Sequence, residues 1–167
     1  MALNSLNTRS AADAGIDIDL FHPASGEPLG IVITMKGSDS QEYIDAERKI
    51  ATRQKDLAKR TKDFAAGLDY DLQQAALVEK MAACFVGWKE KLEDGGFKPT
   101  IELNPGQELE ATKENFKRLI KDRGFFWLRQ QVQQGMDSVT NFLPKSPAPS
   151  AQPPSFVLDT TGPGQTE

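Results

Sequence analysis

The stretch AADAGIDIDLFHPASGEPLGIVITMKGSDSQEYIDAERK, residues 11–49, holds two strands, the turn between them and the start of a helix. In GIDIDLF, 15–21, Ile16, Ile18 and Leu20 fall on one side and Asp17 and Asp19 on the other. That period of two belongs to a strand with one face on a core and one in water. HPASGEP, 22–28, gathers Pro23, Ser25, Gly26 and Pro28, which preset φ or permit φ > 0, so the chain reverses here. LGIVITM, 29–35, is β-branched and suits the pairing strand. The reading is a hairpin over 14–36, preceded by a flexible N-terminus over 1–12. An isolated hairpin is only marginally stable, so it needs a surface to cover it.

Helices supply that surface. The first is predicted over about 40–66. Ser38, Asp39 and Ser40 are all capping candidates, and Glu42 favours the positive end of the dipole. Tyr43, Ile50, Leu57 and Phe64 recur every seven residues with Ala51, Ala58 and Ala65 beside them. One strong hydrophobe per heptad is thin for a coiled-coil seam, and packing onto the chain's own fold is preferred. A second helix is predicted over about 70–92, where Val78, Met81, Ala82, Phe85, Val86 and Trp88 make a broad apolar face ended by EDGGFKP, 93–99. TIELNPGQELEA, 100–111, reads equally as strand or loop around Ile101–Leu103. A third helix over 113–122 starts at a Thr112 cap, with Phe116, Leu119 and Ile120 on one side. A fourth over 126–143 aligns Leu128, Val132, Met136, Val139 and Leu143, with Gly135 a weak point. Residues 144–167 carry six prolines and two glycines in 24 residues. Such a segment cannot bury enough to offset chain entropy, and the reading is a disordered tail. The fold class is thus α+β and mostly helical: a single domain over 13–143 with an N-terminal hairpin and about four helices.

Composition narrows the function. The net charge is −4, from 24 acidic and 20 basic side chains mixed along 167 residues, so no long-range basic field draws nucleic acid or an anionic membrane. Residues 40–66 hold seven basic and five acidic side chains, a solvated face rather than a polyanion surface. No apolar stretch reaches the ~20 residues of a membrane span. The N-terminus has one basic residue, Arg9, and no apolar h-region, which argues against a secretory signal and for a cytoplasmic protein.

Chemistry is sparse. Cys84 is the sole cysteine and His22 the sole histidine. Cys84 reads as a buried small side chain and His22 as a turn residue, since a dyad would need them adjacent in space. There is no phosphate loop, HExxH, GxSxG or calcium loop. Asp17 with Asp19 lies on an outward strand face, and Asp69 with Asp71 at a helix start, where carboxylates favour the dipole. The expectation is no enzyme, cofactor or metal. Partner binding has better candidates. Phe125, Phe126 and Trp127 form an aromatic cluster that reads either as core or as an exposed anchor. Phe156, Val157 and Leu158 form the one compact apolar cluster of the tail, a docking motif or incidental.

The order of these pieces resembles the tail assembly chaperones of long-tailed bacteriophages. An acidic strand, an HP…GEPLG turn, an apolar strand and a GSDSxxY helix start follow one another. GW at 87–88, TKENFKRLI at 112–120 and WLRQQV…NFL from 127 to 143 extend the likeness over about residues 10–143. The departures are the long connection EDGGFKPTIELNPGQELE and the proline-rich end. The resemblance implies a non-enzymatic assembly factor of the host cytoplasm. Such a factor coats the tape-measure protein, acts while the tail-tube protein polymerises, is open to self-association and is absent from the mature virion. It also implies a second, longer product made by ribosomal frameshifting, and LPK at 143–145 suits a slippery heptamer if its codons read C CCA AAG. The rival class is a small structural tail completion or connector protein retained in the virion.

Overall fold

A computed structural model of the chain describes residues 7–62 and 69–143. It is α+β. The elements, in order, are α1 (Arg9–Ala14), β1 (Ile16–Phe21), β2 (Pro28–Met35), α2 (Gln41–Thr61), α3 (Tyr70–Cys84), β3 (Phe85–Lys91), β4 (Phe97–Lys98), β5 (Thr100–Asn104), β6 (Gln107–Glu110), α4 (Lys113–Lys121) and α5 (Phe126–Asp137), with 3-10 turns at Arg123–Phe125 and Val139–Phe142. One antiparallel sheet has the order β1-β2-β3-β4, and β5 and β6 form a second hairpin.

The first hairpin pairs Ile16 with Met35 and Ile18 with Ile33, which sends Ile18, Leu20, Ile33 and Met35 into the core. At its turn the His22 backbone N–H donates to the Glu27 carbonyl. His22 Nδ1 accepts from the N–H groups of Ala24 at 3.3 Å and Ser25 at 3.1 Å. His22 is a turn residue, and its imidazole organises that turn.

On the outward face Asp17 accepts from Thr34 Oγ1 at 2.6 Å and pairs with Lys89 on β3. The hydrogen bond from Lys89, then that from Thr34, holds the Asp17 carboxyl below its usual value against the opposing effect of burial. A depressed carboxyl stabilises the fold above its unfolded pKa of about 4, and that contribution fades as pH falls through the lower folded value. Because the side chain is half-exposed, the effect is small. Asp17→Asn is therefore expected to lower the urea midpoint slightly at neutral pH and to match the parent once the parent's Asp17 is protonated in both the folded and the unfolded chain. A gap that persists in acid would place the cost elsewhere than in charge.

The helix expected over 70–92 is corrected: α3 stops at Cys84 and the chain continues as β3, pairing with β2. A β-bulge explains why the spacing reads as a helix. Thr34 pairs with Gly87 but Met35 with Phe85, leaving Val86 as an extra residue, 53% exposed. The bulge turns Phe85 and Trp88 to the same side. A helix produces the same i, i+3 spacing, so the sequence pattern could not separate the two. The undecided segment at 100–104 is strand. Pro105 and Gly106 (φ 78°) turn it back into β6, the residue pair a type II turn takes.

Two further expectations change. The flexible segment expected through residue 12 includes α1 in its described part, with Ala12 buried. The helix expected over 126–143 ends at Asp137. Val139, placed on its inner line, is 58% exposed, while Phe142 is buried. Phe142 and Ala12 meet over Gly37, where an added Cβ would lie 2.8 Å from Phe142 Cζ and 2.9 Å from Ala12 Cβ. Filling that notch outweighs continuing the helix through the β-branched Val139 and Thr140. Asn141 Nδ2 then donates to the Gly135 carbonyl at 3.0 Å, satisfying an acceptor near the helix end.

Of the three capping candidates, Ser40 caps α2, accepting from the Tyr43 N–H at 3.4 Å. Asp13 of α1 assists by accepting from the Gln41 N–H at 2.9 Å. Along α2 only Ala46 and Ile50 are buried, and Leu57 is partly exposed. The helix lies against α3, tied by Arg53 to Glu79 and Lys80 to Glu47. Phe64 and Ala65 of the heptad line fall outside the described residues, as does the tail expected over 144–167.

The core joins the sheet to α3, α4 and α5. Phe85 stacks on Phe116 at 4.5 Å and meets Trp88 edge-on at 5.2 Å. Trp88 Nε1 donates to the Leu109 carbonyl at 3.1 Å, fixing the second hairpin to the first sheet. Gln131 of α5 closes the outer edge of β1 at its end. Its Oε1 accepts from the Phe21 N–H at 2.9 Å and its Nε2 donates to the Phe21 carbonyl at 2.8 Å. An edge strand offers unpaired backbone to other chains, and this side chain occupies both groups of one residue.

Candidate partner-binding surface

The aromatic cluster divides. Phe125 and Trp127 pack, partly buried, against the core. Phe126 is 48% exposed, with the Arg129 guanidinium 4.9 Å from its ring centroid. The cluster thus splits into two members packed on the core and one exposed ring. The candidate tail residues Phe156, Val157 and Leu158 lie outside the described residues.

Arg129 also borders a groove of about 480 Å³ between α3, α4 and the turn into α5. Val78, buried, lies at its base, and Ala75 and Tyr70, both exposed, add to its apolar lining. The opposite wall carries Lys117, Lys121, Arg123 and Arg129. None of these four forms an ion pair among the described residues. Asp71 and Glu79 stand on the α3 wall, and the Glu79 carboxylate already takes Arg53. The groove is thus apolar below, cationic on one flank and weakly acidic on the other.

Each wall follows from its helix. Asp69 caps α3, accepting from the Asp71 N–H at 2.8 Å and the Leu72 N–H at 3.4 Å, so the paired carboxylates at 69 and 71 serve a helix start. Thr112 caps α4, accepting from the Asn115 N–H at 3.2 Å. Phe116, Leu119 and Ile120 of α4 face the core, which leaves Lys117 and Lys121, one turn apart, on its outer side. Sequence reading weighed the basic residues of 40–66 and passed over this set. Its signal was present in KENFKRLIKDR, where the polar positions are predominantly basic.

The reactive groups stand apart. Cys84 is fully buried with its Sγ 3.7 Å from Ser40 Oγ. Burial pushes its thiol pKa up, the reverse of what a nucleophile needs. His22 spends Nδ1 on its own turn. Among the described residues no group of His, Cys, Asp and Glu is placed to hold a metal ion, and no helix is long and apolar enough to cross a membrane.

No family model, curated protein or solved structure matches this chain.

Proposed function

We propose that this protein is a tail assembly chaperone of a long-tailed bacteriophage. It binds the tape-measure protein, keeps it soluble in the host cytoplasm, helps recruit tail-tube subunits and leaves before the virion is complete. The observation that carries the reading is the ordered succession of acidic strand, HP…GEPLG turn, apolar strand and GSDSxxY helix start. The groove beside Phe126 supports it, since it offers an open apolar floor with a charged flank to a chain that must be held and later released. A tape measure built of long amphipathic helices aggregates unless its apolar stripe is covered, and many weak contacts allow exchange for tube subunits. In this role the protein works by binding, with no chemical step.

Co-expression with the tape-measure protein of the same phage, followed by size-exclusion chromatography, tests this. The expected result is a soluble complex with many copies per tape measure, formed only when both are present. An insoluble tape measure beside a free protein, or recovery of this protein from purified virions, would move the weight to a structural tail role.

A further inference from the structure

The groove between α3 and α4 has walls of unequal charge, and that inequality specifies its occupant. Its 480 Å³ is about three times the ~150 Å³ that accommodates a benzene ring, so it takes roughly three large apolar side chains. The small side chain of Ala75 leaves that space open, and the exposed Tyr70 offers an aromatic face. Lys117 and Lys121 repeat at one helical turn, with Arg123 and Arg129 continuing the cationic side.

We propose that this groove receives an acidic amphipathic helix, its apolar stripe against Ala75, Val78 and Tyr70 and its carboxylates, spaced i and i+4, against Lys117 and Lys121. A helix fits better than an extended peptide. Both long walls are α-helices whose backbone is already bonded, so a strand would find no ladder to join, whereas a helix brings its own backbone bonds satisfied. Protein fits better than nucleic acid. Phosphates would run along both walls, and Asp71 and Glu79 repel them from one; the chain as a whole is also net negative. A helix carrying acid on one flank only meets the cationic wall without opposing the acidic one. The owner of that helix rests on the chaperone reading, while its chemistry rests on the groove.

Fluorescence anisotropy of the full chain decides it, using three probes: a synthetic amphipathic peptide with a leucine stripe and glutamates along one flank of it, a twin with lysines in place of those glutamates, and a single-stranded oligonucleotide. The glutamate peptide is expected to bind, more weakly at high salt, and the twin not to bind. K117E/K121E reverses two rim charges and is expected to weaken the glutamate peptide by about tenfold or more. K117Q/K121Q gives a smaller loss in the same direction, and K55E/K59E on α2 none. Circular dichroism and melting temperature verify that each variant is folded. Failure of the glutamate peptide to bind, equal binding by K117E/K121E, or tighter binding of the oligonucleotide would overturn the assignment. A tape-measure complex that survives K117E/K121E would overturn the groove and leave the chaperone reading intact. Peptide binding without a tape-measure complex would do the reverse.

Discussion

Phe116→Ala is expected to lower the unfolding free energy by about 3–5 kcal/mol, the range for truncating a buried phenylalanine. Phe116 is fully buried and stacked on Phe85, with interplanar angle 10°, and Phe85 in turn meets Trp88. Removing its ring takes one member from a three-ring cluster that joins α4 to the bulged strand. Alanine's better helix propensity returns at most ~0.5 kcal/mol, far too little to compensate. In a domain of this size the melting temperature should fall by about 10–20 °C. Phe116→Leu keeps most of the volume and should cost markedly less. Urea unfolding of both variants measures this. A loss below about 1 kcal/mol for Phe116→Ala would mean that the stack is not where the core's packing is concentrated.

Gly135→Ala sets two effects against each other. In an exposed helix interior the change gains about 1 kcal/mol. In α5 the added Cβ would lie 2.5 Å from Ile18 Cδ1, 2.8 Å from Cγ1 and 3.2 Å from Cγ2. Ile18 is buried and branched at Cβ, so little of it can swing away, and overpacking costs typically ~1–3 kcal/mol. The crowding wins, and the expected outcome is a net loss in stability. The same substitution in an Ile18→Ala background, where those atoms are gone, should become favourable. That change of sign in a double-mutant cycle identifies the contact. Stabilisation by Gly135→Ala alone would show that α5 does not approach β1 so closely.

These two residues also show which parts of the fold were legible. Phe116 sits at i, i+3, i+4 with Leu119 and Ile120, so its inward face could be read directly, as could the alternation of Ile16, Ile18 and Leu20. Thr112 was recognisable because a cap is a local hydrogen bond, whereas Ser40 was one of three neighbouring candidates that the local sequence does not separate. Gly135 looked like a weakness because its use lies in another element, more than a hundred residues earlier. The strand at Phe85–Lys91 was hidden for a different reason: one inserted residue, Val86, gave its core positions the spacing of a helix. The groove escaped because its two sides come from separate elements, and their charges read as ordinary solvated faces until α3 and α4 stand side by side. Of the aromatic cluster, composition could locate all three rings, but only packing distinguishes Phe126 from its two neighbours.

The meeting of Ala12, Gly37 and Phe142 fixes the order of events when the protein is made. Two of its three members come from the opposite ends of the described chain, so it forms only after everything between them has been made. The N-terminal helix therefore gains its last neighbour only once Phe142 has left the ribosome. A polypeptide ending short of that residue would leave Gly37 uncovered and Ala12 facing water. Position 143 follows immediately, so any longer product branching at LPK would diverge just after the body common to both had closed.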